Sequence, residues 1–256
     1  MKNKFKKNYF EKELKFVWNY LKDSKNFIYL ASLIFISFCF IGYFIPLPEK
    51  FAAELISYFE ELIRKTEGFG IWEMICFLFE NNLLVSFLSL IFGIFLGIIP
   101  LFNAAINGLI LGFVSNMVVN ESGISSLWKL LPHGIFELPA LVISLGLGLR
   151  FGFFGLEFIE RYLKIKNKNH RRIIAIAIII LSLNILLLIF SLFFLIFQIY
   201  TLLFSLFMIL ILLHFLLKDK IMKKNLIDLI KTFIFIVIPL LVIAAIIEGT
   251  LIIFGK

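Results

Sequence analysis

Cysteine, histidine and charge are all scarce in this chain. Two cysteines among 256 residues, Cys39 and Cys76, supply neither a disulfide framework nor a Cys-x-x-Cys metal pair. Three histidines are too few and too scattered for a His-Glu-x-x-His site. Charged residues make up 16% of the chain and hydrophobic residues 61%, against about 25% charged and 45–50% apolar in ordinary domains. With a mean hydropathy of +1.03, a water-soluble globule is excluded and the solvent is a lipid bilayer. The net charge of +8 does not indicate nucleic acid, because the basic residues fall in short runs between apolar spans, where membrane proteins place their cytoplasmic loops. The 33 Phe are spread through those spans and read as lipid-facing or interhelical filling.

What is abundant is hydrophobic run length. A hydrocarbon core about 30 Å thick needs about 20 helical residues. Runs of that order are Phe27 to Ile45, Leu83 to Leu101, Pro132 to Leu149, Ile173 to Phe197, Ile199 to Leu217 and Thr232 to Phe254, with a shorter one at Asn103 to Val119. The fold class is therefore all-α, a polytopic transmembrane bundle. Before the first span, Phe10, Leu14, Val17, Trp18 and Leu21 recur at helical spacing, with Lys12, Lys15 and Lys22 elsewhere. This predicts an amphipathic interfacial helix, too polar for a cleavable signal peptide, so the first span is expected to be retained. Phe51, Leu55, Phe59, Leu62 and Ile63 predict a second, short amphipathic helix outside the membrane.

Lys and Arg set the orientation. Eight Lys precede Phe27, whereas Pro46 to Asn82 holds Lys50, Arg64 and Lys65 against seven Glu, so the N-terminus is predicted cytoplasmic and the C-terminus external. An odd number of crossings follows. Seven full spans satisfy it and are expected; the alternative is five spans plus a re-entrant pair of half-helices at Asn103 to Val119 and Pro132 to Leu149. The expected organisation is a cytoplasmic interfacial segment 1–26, a first transmembrane helix 27–45, an external acidic segment 46–82 and a transmembrane core 83–149 bearing the polar residues. Basic cytoplasmic loops 150–172 and 218–231 then flank an apolar hairpin 173–217, ahead of a last span 232–256.

Polar groups in lipid are costly and mark function or interhelical contact. Most lie between Glu80 and Arg150, with Glu248 in the last span. Gly93 with Gly97, and Gly108 with Gly112, are small-xxx-small pairs that predict close helix packing on two helices joined by a turn at Pro100. Asn103 and Asn107 share a helix face, as do His133 and Glu137. A His and a Glu four apart can share a hydrogen bond or a proton, or chelate one metal. Taking 1.5 Å per residue, the seven-span arrangement puts His133, Glu137 and Glu248 in the outer half, near Asn81 and Asn82 at the outer start of the second span. Arg150 is expected to snorkel to the inner headgroups.

Three stretches, FENNLLVSFLSLIFGIFLGIIPLFNAAINGLILGF, LLPHGIFELPALVISLGLGLRFG and AAIIEG, together resemble the stage II sporulation protein M family of integral membrane proteins. The resemblance is strongest from Phe79 to Gly155. It would place the family's polar signature on Asn81, Asn82, Asn107, Gly108, His133, Gly134, Glu137 and Glu248. In spore-forming bacteria it implies a membrane component that holds peptidoglycan-degrading partners together, without established enzymatic activity of its own. The leading expectation is a non-enzymatic membrane scaffold that recruits membrane or envelope proteins, with homodimerisation through the glycine faces left open. The alternatives are an intramembrane hydrolase of lipid or peptide, with His133, Glu137 and Glu248 holding zinc or another divalent metal, and a transporter of ions, protons or lipid.

Overall fold

The computed structural model describes residues 2–94, 97–162 and 219–254, and the side chains of these apart from 2–10, 128–133 and 158–162. Everything regular in it is helical. The elements are α1 (Lys2–Asp23), α2 (Lys25–Phe44), α3 (Glu49–Thr66), α4 (Ile71–Ile91), α5 (Ile98–Ser122), α6 (Leu131–Tyr162), α7 (Lys220–Thr232) and α8 (Ile238–Phe254). Short 3-10 segments, Phe92–Ile94 and Ile124–Leu130, lead into α5 and α6. A π-turn, Phe233–Val237, fuses α7 and α8 into one rod. Its cause is local: Pro239 has no N–H for the carbonyl of Phe235, and widening the turn relieves the clash its ring would make there.

Among the described residues, five stretches are long and apolar enough to cross a membrane: Lys25–Phe44, Ile71–Ile94, Ile98–Ser122, Gly134–Glu157 and Lys220–Phe254. The protein is a multi-pass membrane protein of helical class. The spans expected at Ile173 to Phe197 and Ile199 to Leu217 lie outside the described residues.

The second crossing differs from the expected Leu83 to Leu101. It begins at Ile71, twelve residues earlier, and ends at Ile94. Gly97, with φ of 71°, then turns the chain in the left-handed region that glycine adopts without penalty. The break thus precedes Pro100, which sits in the first turn of α5, where a missing N–H costs nothing. Glu73 marks the true start: its carboxylate accepts from the Gly70 N–H at 2.7 Å, satisfying an end group the helix itself cannot. The segment 46–82 is therefore α3 plus the first half of α4, and Gly93 and Gly97 flank a turn rather than share a helix face.

The alternative pair of half-helices does not form. α5 has 25 residues and α6 has 32, about 37 and 48 Å at 1.5 Å per residue, so each is a full crossing. α5 runs parallel to α2. Gly108 abuts the backbone at Phe35, Gly112 that at Cys39 and Tyr43, and the Asn116 amide donates to the Tyr43 carbonyl at 3.0 Å.

α6 is the hub. One side packs with α2 and α5 through Ala31, Phe35, Ala104, Leu141, Leu145 and Leu149. The other packs with α4, α7 and α8 through Leu90, Leu147, Phe151, Met222, Leu229 and Leu241. Lipid tails are as apolar as these side chains, so dispersion and close approach, rather than escape from water, hold the crossings together. Gly146 and Gly148 of α6 allow that approach: a Cβ there would come within 2.6 Å of the Ile28 Cα and 2.5 Å of the Ser89 carbonyl oxygen.

The two ends of the bundle differ in character. At one, α1, the start of α2, the far half of α6 and α7 converge. Here Arg150 does not reach outward to headgroups. Its Nη1 donates to the Tyr20 carbonyl at 2.8 Å and the Ser24 hydroxyl at 2.6 Å, and its guanidinium lies 4.0 Å from the Tyr20 ring centre. Burial pushes the Tyr20 hydroxyl up to about 12, against the pull of Arg150, so the ring under the cation stays neutral. Lys231 meets Glu13 at 2.9 Å, tying α7 to α1. At the other end lie α3 and the 3-10 segment before α6, and Gly249 of α8 meets Ile75 of α4.

Candidate functional site

Near the α3 end, α4 and α5 diverge around a cavity of about 310 Å³. α4 contributes Asn81, Asn82, Val85 and Ser86, α5 contributes Asn107 and Ile110, α6 contributes Glu137 and Leu141, and α8 contributes Leu241. α3 closes it with Leu55, Tyr58, Phe59 and Leu62. These four recur at spacings of three and four, so one face of α3 covers the cavity. No residue of α3 is fully buried, and Tyr58 is 51% exposed. The cover rests on the bundle without being built into it.

Four of the residues singled out from the sequence thus meet at one place: Asn81, Asn82, Asn107 and Glu137. Because α4 starts at Ile71, Asn82 lies about 17 Å along its helix, well inside the span rather than at its end. His133 precedes Glu137 by one turn of α6, and its side chain is not among those described. Glu248 does not line the cavity. It stands two turns beyond Leu241 on α8, toward the α3 end, the same direction in which His133 lies from Glu137. Among the described residues, no group of three or more His, Cys, Asp or Glu side chains is placed to hold a metal ion.

Gly108 and Gly112 lie in the α2/α5 seam beside the cavity, Gly93 packs on the backbone of Gly148, and Gly97 packs on Leu149.

A chain of hydrogen bonds positions Asn107. Its amide donates to the Asn103 carbonyl at 2.8 Å and to the Asn103 side-chain oxygen at 2.5 Å. The Asn103 amide donates in turn to the Ser89 hydroxyl, which donates to the Val85 carbonyl at 2.7 Å. α5 and α4 are thereby joined beneath the cavity, and the Asn107 carbonyl oxygen keeps its acceptor capacity. Ser144 of α6 donates to the Ser86 carbonyl at 2.5 Å, which leaves the Ser86 hydroxyl at the cavity wall.

Sequence reasoning missed Ser86, Ser89 and Ser144, because a serine in an apolar helix ordinarily bonds its own preceding turn. The available signal was spacing: Asn82, Ser86 and Ser89 stand four and three apart and make one polar stripe along α4. Asn103→Leu should break the relay: the Ser89 hydroxyl keeps its bond to the Val85 carbonyl but loses its donor, and the Asn107 amide keeps the backbone carbonyl of residue 103 alone. The expected cost is roughly 1 kcal/mol, read as a lower melting temperature in detergent, whereas Asn120→Leu, exposed on the same helix, should leave melting unchanged.

Among the described residues, the cavity is lined by three primary amides, the hydroxyls of Ser86 and Tyr58 and one carboxylate, with no Lys or Arg. These side chains can recognise a polar group by hydrogen bonding, and none of them supplies a cation for an anion.

The family model described as Stage II sporulation protein M matches residues 31–194. Over 135 residues the chain is 33% identical to an uncharacterized protein of Methanocaldococcus jannaschii, an alignment covering 50% of this chain and 60% of that protein. No solved structure matches the chain. Since the family match spans well over half of the chain, and with it every residue of the cavity wall but Leu241, this protein belongs to the Stage II sporulation protein M family.

Proposed function

We propose that this chain is a non-enzymatic membrane organiser of other proteins, with α3 and the cavity mouth as its recruiting surface and the α3 end outside the cell. One observation supports the reading above the others: four polar residues of the family signature, Asn81, Asn82, Asn107 and Glu137, line a cavity that, among the described residues, is covered by an amphipathic helix resting on the bundle surface. An enzyme commits its polar residues to a reacting centre. Here the polar wall is capped by a helix that also presents Glu54, Glu60 and Glu61 to solvent, which suits a surface that a second protein grips. The eight Lys before Phe27 and the basic α7 support placing the Arg150 end in the cytoplasm.

The test is site-specific crosslinking in native membranes, with a photoreactive phenylalanine analogue replacing Tyr58. The expected result is a discrete protein adduct that weakens severalfold when Glu61 is changed to Lys on the exposed face. Failure to find any protein adduct from positions 58, 61 or 65 would overturn the reading.

A further inference from the structure

We propose that the cavity beneath α3 binds a neutral, hydroxyl-rich group of the sugar or polyol class, presented at membrane depth. This does not depend on the chain organising partners.

The argument rests on which polar atoms face the cavity and which charges do not. The side-chain amides of Asn81 and Asn82, the hydroxyl of Ser86 and the carbonyl oxygen of Asn107 make no hydrogen bond within the described residues. Polar atoms in a bilayer without such bonds cost several kcal/mol each unless a ligand or water serves them. Each amide carries both a donor and an acceptor, a hydroxyl does the same, and a carboxylate accepts through two oxygens. A ring of adjacent hydroxyls offers donors and acceptors at matching intervals, and so pairs with this set more completely than an amine, which can only donate, or a phosphate, which can only accept. None of the described lining residues is a Lys or Arg that could hold a phosphate. The volume, about 310 Å³, is at the lower end of ligand pockets and equals roughly ten waters, room for one sugar ring. Tyr58 and Phe59 of α3 give an apolar face against which the C–H side of such a ring can lie. Asn81 of α4 and Tyr58 of α3 both line the cavity and are exposed, so it is reached from the outside at these residues.

The group could arrive on a lipid or in solution, and the experiment separates the two. The full-length protein, purified in a sugar-free detergent, is melted with monoglucosyl diacylglycerol, diacylglycerol, phosphatidic acid, phosphatidylethanolamine or free glucose. The expected result is stabilisation by the glucosyl lipid that exceeds that of the other lipids and is competed by an alkyl glucoside. Asn82→Leu should weaken apparent binding about tenfold. Ser86→Ala keeps the Ser144 bond, which is made to the backbone, and so tests the site without endangering the fold; it should weaken binding by a smaller factor. Equal stabilisation by free glucose supports the site and assigns it to a soluble sugar. Stabilisation by phosphatidic acid or phosphatidylethanolamine that matches the glucosyl lipid, indifference to Asn82→Leu and Ser86→Ala together, or no response to any sugar-bearing probe would overturn the proposal.

Discussion

Gly112→Leu should abolish recovery of folded protein. A Cβ at Gly112 would overlap the backbone carbonyl of Cys39 and come within 2.8 Å of the Tyr43 nitrogen, and neither atom can step aside as a side chain would. One turn earlier, Gly108 meets Phe35 and Cys39 in the same way, and Gly42 of α2 presses on Leu109 from the opposite side. Three glycines therefore interlock α2 with α5, and any larger residue must push the helices apart along the seam. Overpacking in a well-filled core costs typically 1–3 kcal/mol. Displacing two backbones exceeds that, and about 4 kcal/mol is a large share of a total stability of 5–15 kcal/mol. Gly134→Ala is the control, since its Cβ would meet only the flexible end of Leu138 at 3.3 Å. Size-exclusion profiles in detergent should show Gly112→Leu aggregated and Gly134→Ala monodisperse; equal profiles would contradict the seam.

Arg150→Ala should lower stability by roughly 3 kcal/mol, the second largest effect. The guanidinium makes two charge-assisted hydrogen bonds, to the Tyr20 carbonyl and the Ser24 hydroxyl, and lies over the rings of Tyr20 and Phe154. Bonds to a charged group are worth about 1.5–3 kcal/mol, and a desolvated cation–π contact about 2 kcal/mol. These are not additive. Arg150→Lys keeps the charge but not the planar fork and should recover less than half of the loss. Tyr20→Phe should be tolerated, because the ring stays under the cation and the buried hydroxyl has no partner among the described residues. A Tyr20→Phe loss as large as that of Arg150→Ala would show that the hydroxyl, and not the ring, is what Arg150 organises.

The membrane class and most of the described crossings were legible because run length answers directly to bilayer thickness. The boundary between external segment and second span was not. Ile71 to Phe79 is apolar but carries Glu73, and Glu80, Asn81 and Asn82 follow it, so the charge and amides read as a membrane edge when they lie within the helix. Gathering Asn81, Asn82, Asn107 and Glu137 was legible as a tendency, since polar groups in lipid seek one another, but which level they share depends on where each helix starts. Nothing in the spacing of Leu55, Tyr58, Phe59 and Leu62 tells that this face covers a cavity instead of lying on headgroups, because both environments demand the same stripe. Arg150 was misplaced for a similar reason: an arginine near a span end fits the headgroup layer as well as it fits a carbonyl on a neighbouring helix.

The measurement that most directly tests the account is cysteine crosslinking of α3 to the cavity wall in native membranes, with Cys39 and Cys76 replaced by serine. Phe59→Cys paired with Asn82→Cys should be joined efficiently by a short bis-maleimide, and Glu61→Cys, on the opposite side of α3, should not join to Asn82→Cys. Equal yields from both pairs, or none from the first, would mean that α3 does not cover the residues that mark the family, and the site built here would not exist.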